Sequence, residues 1–335
     1  PHAIIIGAGL GGLSAAVSLA AHGFVVTVFE KNGAPGGKLS VEQSQGYTFD
    51  LGPSLLTMPH LLRELFSRAG KRLDQYLQLQ KLQPHCRSFF EDGFRFDLWP
   101  DLDRTMEEIH RIDPSAGSEL SGFSRYADSQ RALVESTYFH AGIDSVTDLF
   151  AGVNPFSFLT RLDWLRSMSG SINGRVCSPH LRRLLAYLCK YVGSSPDTAP
   201  GFMNLLFSIQ QRYGAWYIRG GMYGLARALG EILVEKGGNI YLGREVRGLI
   251  LETGVVRGVV TDDHREHHAD VVVSNMEVIP FYRDLAALSP TCLGKLERRF
   301  EPSCSGLVIH LGLDRTYPQR SEERRVGKEC RYRWS

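Results

Sequence analysis

The sequence predicts an α/β protein whose parallel sheet is assembled from both ends of the chain, with a second, α+β region inserted between them. Three observations predict it. The first thirty residues read as strand, glycine turn, helix, strand and acid. Near the far end, Asp270-Val-Val-Val-Ser274-Asn275 has the near-continuous apolar run of a buried parallel strand. Between them the hydrophobic period changes repeatedly from two to about 3.6 residues, the mark of mixed strands and helices.

Residues 4–6, all Ile, form the first strand. Gly7, Gly9 and Gly12 supply a G-x-G-x-x-G spacing around Ala8. The first glycine makes the tight turn, the second lets a pyrophosphate approach the backbone, and the third lets the helix pack against the strand. The helix start then offers free N–H groups to the phosphates. Glu30 ends the second strand eighteen residues after Gly12, where a carboxylate accepts from ribose hydroxyls and disfavours a 2′-phosphate. These residues predict a Rossmann-type dinucleotide site that excludes NADP and leaves NAD and FAD open. Residues 3–21 carry no charge, but their glycines, the missing basic n-region and the immediate second strand argue against a membrane span or signal peptide.

After Glu30 and Lys31, Gly36-Gly37-Lys38 forms a turn that returns toward the phosphate site, with small residues for close approach and a cation for a phosphate. Residues 39–43 and 47–51 read as a strand pair turned at Gly46, and Gly52-Pro53-Ser54 breaks the pattern. Thr57 is placed to cap a helix with Pro59 in its first turn, ending at Gly70. Residues 77–99 read as strands of one sheet, with Asp92-Gly93 as a two-residue hairpin turn.

From Asp101 to about Phe139 the period is helical. Residues 146–177 interleave Phe150, Phe156, Phe158, Trp164 and Leu165 with Arg161 and Arg166, a pattern that suits plain core or a bilayer interface. No segment is long and apolar enough to span a membrane. Helices follow at 181–192, stopped by Gly193, and at 200–213. Tyr213 to Gly224 reads as an apolar strand, a double glycine and a helix start. Strands at 239–242 and 270–275 are expected to join the first sheet, a hairpin turns at Thr253-Gly254, and 303–313 reads as a further strand.

Composition bounds the partners. The chain has 335 residues, enough for two domains, with 43% hydrophobic and 22% charged residues and a net charge of +2. Residues 320–335 hold six basic and three acidic residues, so without them the charge is +2 − 3 = −1, and no nucleic-acid partner is implied. That stretch follows no period and resembles a translated sequencing adapter; it is expected to be a non-native tail, the alternative being a genuine basic tail. Cys86, Cys177, Cys189, Cys292, Cys304 and Cys330 are scattered, with no C-x-x-C pair, which reads as reduced cytoplasmic thiols. His264, His267 and His268 suit a solvated hairpin end better than a metal site.

Taken together, Ile6 to Leu13, Val28 to Asn32, Pro35-Gly-Gly-Lys38, Gly46 to Ser54, Tyr217 to Gly224 and Ala269 to Asn275 resemble the bacterial-type carotenoid desaturases. These phytoene and dehydrosqualene (diapophytoene) desaturases belong to the amine-oxidase-like flavoproteins, and the likeness runs from residue 2 to about 318. The resemblance implies FAD as cofactor. By motif match it assigns Gly7, Gly9 and Gly12 to the pyrophosphate and Glu30 to the ribose, with Ala8 and Lys31 adjoining. It assigns Gly37, Lys38, Gly52 and Pro53 to the flavin side and Val246 to the adenine.

It further implies hydride transfer from a long apolar polyene to FAD, a peripheral place at the inner face of the cell membrane, and an FAD-binding domain of residues 1–75 and 225–275. The substrate and membrane-associating domain would be 76–224 and 276–319. The family continues well past this chain's end into a second FAD-contacting motif, so the fragment as written is expected to be unstable or inactive. No acid or base is assigned; Asp144, Asp148, Asp163 and Arg161 are polar residues of the substrate region. Rival readings on the same fold are a carotenoid isomerase or saturase, an amine or porphyrinogen oxidase, and a non-catalytic lipid binder. Nothing in the sequence sets the oligomeric state.

Overall fold

The computed structural model describes residues 1–135, 158, 160–300 and 308–314. Strand β1 (His2–Ile6) leads through helix α1 (Leu10–Ala21) to β2 (Val25–Glu30). The hairpin of β3 (Ser40–Ser44) and β4 (Tyr47–Leu51) precedes α2 (Pro59–Arg68). Next come β5 (Leu79–Lys81), β6 (Cys86–Phe89) and β7 (Arg95–Leu98). The helices α3 (Leu102–Ile112), α4 (Pro114–Glu135), α5 (Met168–Asn173), α6 (Pro179–Tyr187) and α7 (Leu205–Tyr213) follow. Strand β8 (Trp216–Ile218) and helix α8 (Tyr223–Glu235) lead to β9 (Asn239–Leu242), β10 (Val246–Glu252) and β11 (Val255–Thr261). The described elements close with β12 (Glu266–His268), β13 (Val271–Ser274) and α9 (Pro290–Arg299).

The chain divides into two compact units. The first draws on Pro1–Gln80 and the chain from Trp216 onward; the second is Lys81–Ala215. The divisions fall at 80/81 and 215/216 rather than at 75/76 and 224/225, because β8 pairs with β5 and the backbone N–H of Arg219 donates to Gln78 O at 3.0 Å. Of residues 276–319, which the resemblance places in the substrate domain, 276–300 cluster with the first unit, where Leu285 packs beside Ile4, Ile6 and Phe29.

In the first unit the parallel sheet has the order β13-β1-β2-β9, so its outer strands come from the far end of the chain as the sequence predicts. Alternation along the strands sends side chains to opposite faces. Ala3, Ile5, Val26 and Val28 pack against Leu13 and Val17 of α1 and Leu225, Leu229 and Ile232 of α8. Ile4, Ile6 and Phe29 pack on the other face with Val246 and Val259 of the antiparallel β10-β11-β12 meander. Each fully buried aliphatic side chain contributes roughly 1.5–3 kcal/mol, so the central strand is sandwiched by two hydrophobic layers.

The second unit has its own core, including Phe96, Leu98, Leu120, Phe123, Met168, Ile172, Leu185 and Phe207. Strands β6 and β7 pair antiparallel, pinned by Arg87, whose Nε and Nη2 each donate to the Asp97 carboxylate at 2.6 Å.

Several local expectations are corrected. Helix α2 is entered through Met58 in the left-handed conformation with no side-chain cap, so Thr57 is not the cap. The β6–β7 connection is a five-residue loop at 90–94 rather than a two-residue turn, because the Phe90 N–H donates to Phe94 O and the Phe94 N–H to Asp92 Oδ1. Strands in 77–99 enter two separate two-stranded sheets, β5-β8 and β6-β7. Residues 308–314 carry no strand. The predicted tail at 320–335 lies outside the described residues.

Candidate cofactor-binding site

The site is built at the carboxyl ends of β1, β2 and β13. Gly7 leaves β1 at φ +95°, a conformation that favours glycine, and its N–H donates to Phe29 O at 2.8 Å. A Cβ on Gly12 would lie 2.0 Å from Gly7 O, so only glycine lets α1 start this close to the turn. Gly9 is the N-cap of α1 and supplies no side chain to the first-turn N–H groups, and no acidic residue stands in that turn. The helix start therefore keeps its donors and its partial positive charge for an anion.

Glu30 is buried beneath this turn. Its Oε2 accepts from the Ala8 N–H at 2.8 Å, and its Oε1 accepts from the Asn32 N–H at 2.9 Å and Asn32 Nδ2 at 2.7 Å. An ionised carboxylate offers about four acceptor sites, so one lone pair on Oε2 remains for a hydroxyl. Beside it, the Arg244 N–H donates to Glu30 O and the Gly243 N–H to Asn32 O, which brings the entry to β10 up to the acid.

The later glycine motifs converge on the same turn. The Gly36 N–H donates to Ala8 O at 2.7 Å, and a Cβ on Gly37 would lie 3.2 Å from Gly9 Cα. A Cβ on Gly36 would also meet Tyr223 and Ala226 of α8 at 3.2 and 3.3 Å. Gly52, at φ +99°, packs on Lys38, where a Cβ would lie 2.0 Å from Lys38 O. The Gly220-Gly221 pair is held by Asp50, whose Oδ1 accepts from the Met222 N–H at 3.0 Å.

The structure thus gathers Gly7, Ala8, Gly9, Gly12, Glu30 and Gly37 around one turn, with Gly52 two contacts away through Lys38. Lys31 and Pro53 are exposed. The Lys38 ammonium is also exposed and lies 3.4 Å from Glu277 Oε1. Val246 is buried on the meander side with Ile4, Ile6 and Phe29, two residues past Arg244.

Three contributors carried no assigned role in the sequence reading. Asn275 directly follows β13 and lies over the glycines: Cβ atoms on Gly9 and Gly11 would come within 2.9 and 2.7 Å of its amide. The rule that ligands sit outside the carboxyl ends of parallel strands points to this residue. Asn32 orients Glu30, and Asp50 ties two glycine motifs together. In the second unit, Asp163 is structural: its Oδ2 accepts from Tyr126 OH at 2.7 Å and Ser171 Oγ at 2.6 Å. Asp144 and Asp148 lie outside the described residues.

A parallel sheet with a glycine turn, an unblocked helix start and a buried acid at its carboxyl ends defines a dinucleotide-binding α/β protein. The chain belongs to the flavin containing amine oxidoreductases, whose family model matches residues 10–296. It is 46% identical to a 4,4′-diapolycopene oxygenase from Methylomonas sp. over 94% of this chain and 63% of that protein. It is 39% identical to a 4,4′-diaponeurosporene oxygenase from Staphylococcus aureus over 95% of this chain and 64% of that protein. The chain therefore spans just under two thirds of the length of these relatives. An oxidoreductase from Methanosarcina mazei shares the fold with a TM-score of 0.62 at 19% identity, over 88% of this chain and 64% of that one. The expected cofactor, FAD, agrees with the family, and the glycine cradle fits its pyrophosphate and Glu30 its ribose.

Proposed function

We propose that the whole protein is an FAD-dependent oxidoreductase of carotenoid biosynthesis that oxidises a long apolar polyene. The observation that carries the reading is the buried Glu30 under a glycine cradle in a chain 46% identical to an oxygenase named for such a polyene. FAD, when bound, supplies the redox chemistry as acceptor of a hydride from an allylic carbon. This chain's residues would supply the hold on it: the α1 start would carry the pyrophosphate, and Glu30, locked by Ala8 and Asn32, would fix the ribose. Gly36, Gly37 and Gly52 would keep side chains off the backbone packed around this turn, leaving room for the cofactor.

Peripheral bilayer contact is part of this reading. Leu165 is 90% exposed and Trp164 51%, and exposed Arg161 and Arg166 flank them. Apolar tips with arginines at the rim suit a headgroup boundary from which an apolar substrate is drawn. Among the described residues no helix is long and apolar enough to cross a membrane.

The relatives' names favour a product that carries oxygen, which balances when water adds to the carbon that has lost its hydride and gives up a proton. A second reading, desaturation of phytoene or dehydrosqualene, is favoured by the Phe49-to-Ser54 and Gly220-to-Gly224 motifs shared with desaturases. Mass spectrometry of products separates them when full-length protein with FAD is given each polyene. Gain of an oxygen atom supports the first reading, loss of two hydrogens supports the second, and unchanged polyene in every case overturns both.

A further inference from the structure

The second unit is packed with apolar side chains, yet among its described residues four, His85, Asn204, Gln210 and Gln211, have buried side-chain polar atoms with no hydrogen-bond partner. His85 is 6% exposed and neither Nδ1 nor Nε2 is partnered. Gln211 has both amide atoms buried and unpartnered, and Gln210, 4% exposed, leaves Oε1 unpartnered. A buried polar group left unmatched costs roughly 1–3 kcal/mol. Each such group calls for an explanation, and a ligand that completes it is one.

Asn204 is held apart, its Nδ2 donating to Met168 O and Gly201 O, but the backbone brings the segments that carry the other three together. The Leu82 N–H donates to Ala215 O at 2.9 Å, so the segment running into His85 lies beside the segment leaving α7. His85 stands three residues beyond that bond on one side. Gln210 and Gln211 stand within five residues of it on the other. The His85 backbone is fixed by its N–H bond to Leu98 O at 2.7 Å.

We propose that His85 and Gln211, with Gln210 beside them, form a hydrogen-bonding site for a neutral oxygen-bearing group, a hydroxyl or carbonyl, on the polyene. The inference rests on the polyene reading above and adds a recognition element to it. A hydrocarbon polyene has nothing to offer these atoms; a polyene that has gained oxygen does. Burial, with the Lys81 charge second, pushes the His85 imidazole down to about 4. At neutral pH it is therefore uncharged, with one nitrogen donating and the other accepting. Neutral partners satisfy a hydroxyl or carbonyl but leave the charge of a carboxylate uncompensated in an apolar interior, so the site discriminates against an acid.

The test titrates full-length protein in detergent micelles with 4,4′-diaponeurosporene and with its aldehyde, read by quenching of tryptophan fluorescence. The wild type is expected to bind the aldehyde about tenfold more tightly, the equivalent of one net hydrogen bond. His85→Phe and Gln211→Leu are expected to lose that preference with hydrocarbon affinity unchanged, while His85→Gln keeps part of it. Equal affinity of the wild type for the two ligands overturns the site and leaves the polyene reading standing. No binding of either ligand overturns both. The wild-type comparison and Gln211→Leu decide the matter even if His85→Phe does not fold.

Discussion

Glu30 is the residue on which the site turns. It satisfies two backbone N–H groups and one side-chain amide, so Glu30→Ala leaves three donors without their acceptor. The variant is expected to lose flavin affinity by on the order of tenfold or more, the worth of one lost charge-assisted hydrogen bond, as measured by flavin fluorescence titration of the full-length protein. Gly12 sets a steric limit instead. Gly12→Ala forces a Cβ to 2.0 Å from Gly7 O and is expected to cost roughly 1–3 kcal/mol in urea unfolding, together with the loss of bound flavin.

His85 makes stability depend on pH. Its folded value, about 4, lies below the ordinary 6.5, so between these values the unfolded chain binds the extra proton. Stability is unaffected above pH 6.5 and falls as the pH drops toward 4, by about 3 kcal/mol at most. Urea midpoints measured at successive pH values are expected to fall over this window in the wild type and to flatten in His85→Gln.

At the scale of elements, β1 and β2 are the strands both hydrophobic layers share. Ile5→Ala opens a cavity between the sheet, α1 and α8 and is expected to cost about 2–5 kcal/mol by chemical denaturation. Much of this layer was legible: apolar runs gave β1, β2 and β13, and the glycine spacing gave α1. What was not legible depended on atoms distant in sequence. No local signal predicts that Met58, rather than Thr57, enters α2. The loop at 90–94 is long because Asp92 turns its carboxylate to the Phe94 N–H instead of closing the two-residue turn that Asp-Gly suggests. Strand β5 leaves its sequence neighbours for β8 because a short strand pairs with whatever edge the fold presents.

At the scale of the molecule, the α/β sheet closed from both chain ends was readable in advance, because buried parallel strands announce themselves by composition. The role of Asn275 was not, since it exists only once β13 pairs with β1 and sets that side chain over the glycines. Lys38, expected at a phosphate, is exposed and lies 3.4 Å from Glu277 Oε1, a neighbour that its local sequence does not reveal. The unsatisfied atoms of His85 and Gln211 are likewise invisible in sequence, because burial is a property of the assembled unit.

Whether the full-length protein passes a hydride from a polyene to FAD, as proposed above, is open to one direct measurement. Anaerobic addition of 4,4′-diaponeurosporene to the full-length, FAD-loaded protein tests it directly, followed by the visible flavin absorbance. The band is expected to bleach as an oxidised polyene forms in matching amount. A band that keeps its full intensity while the polyene is recovered unchanged would contradict it.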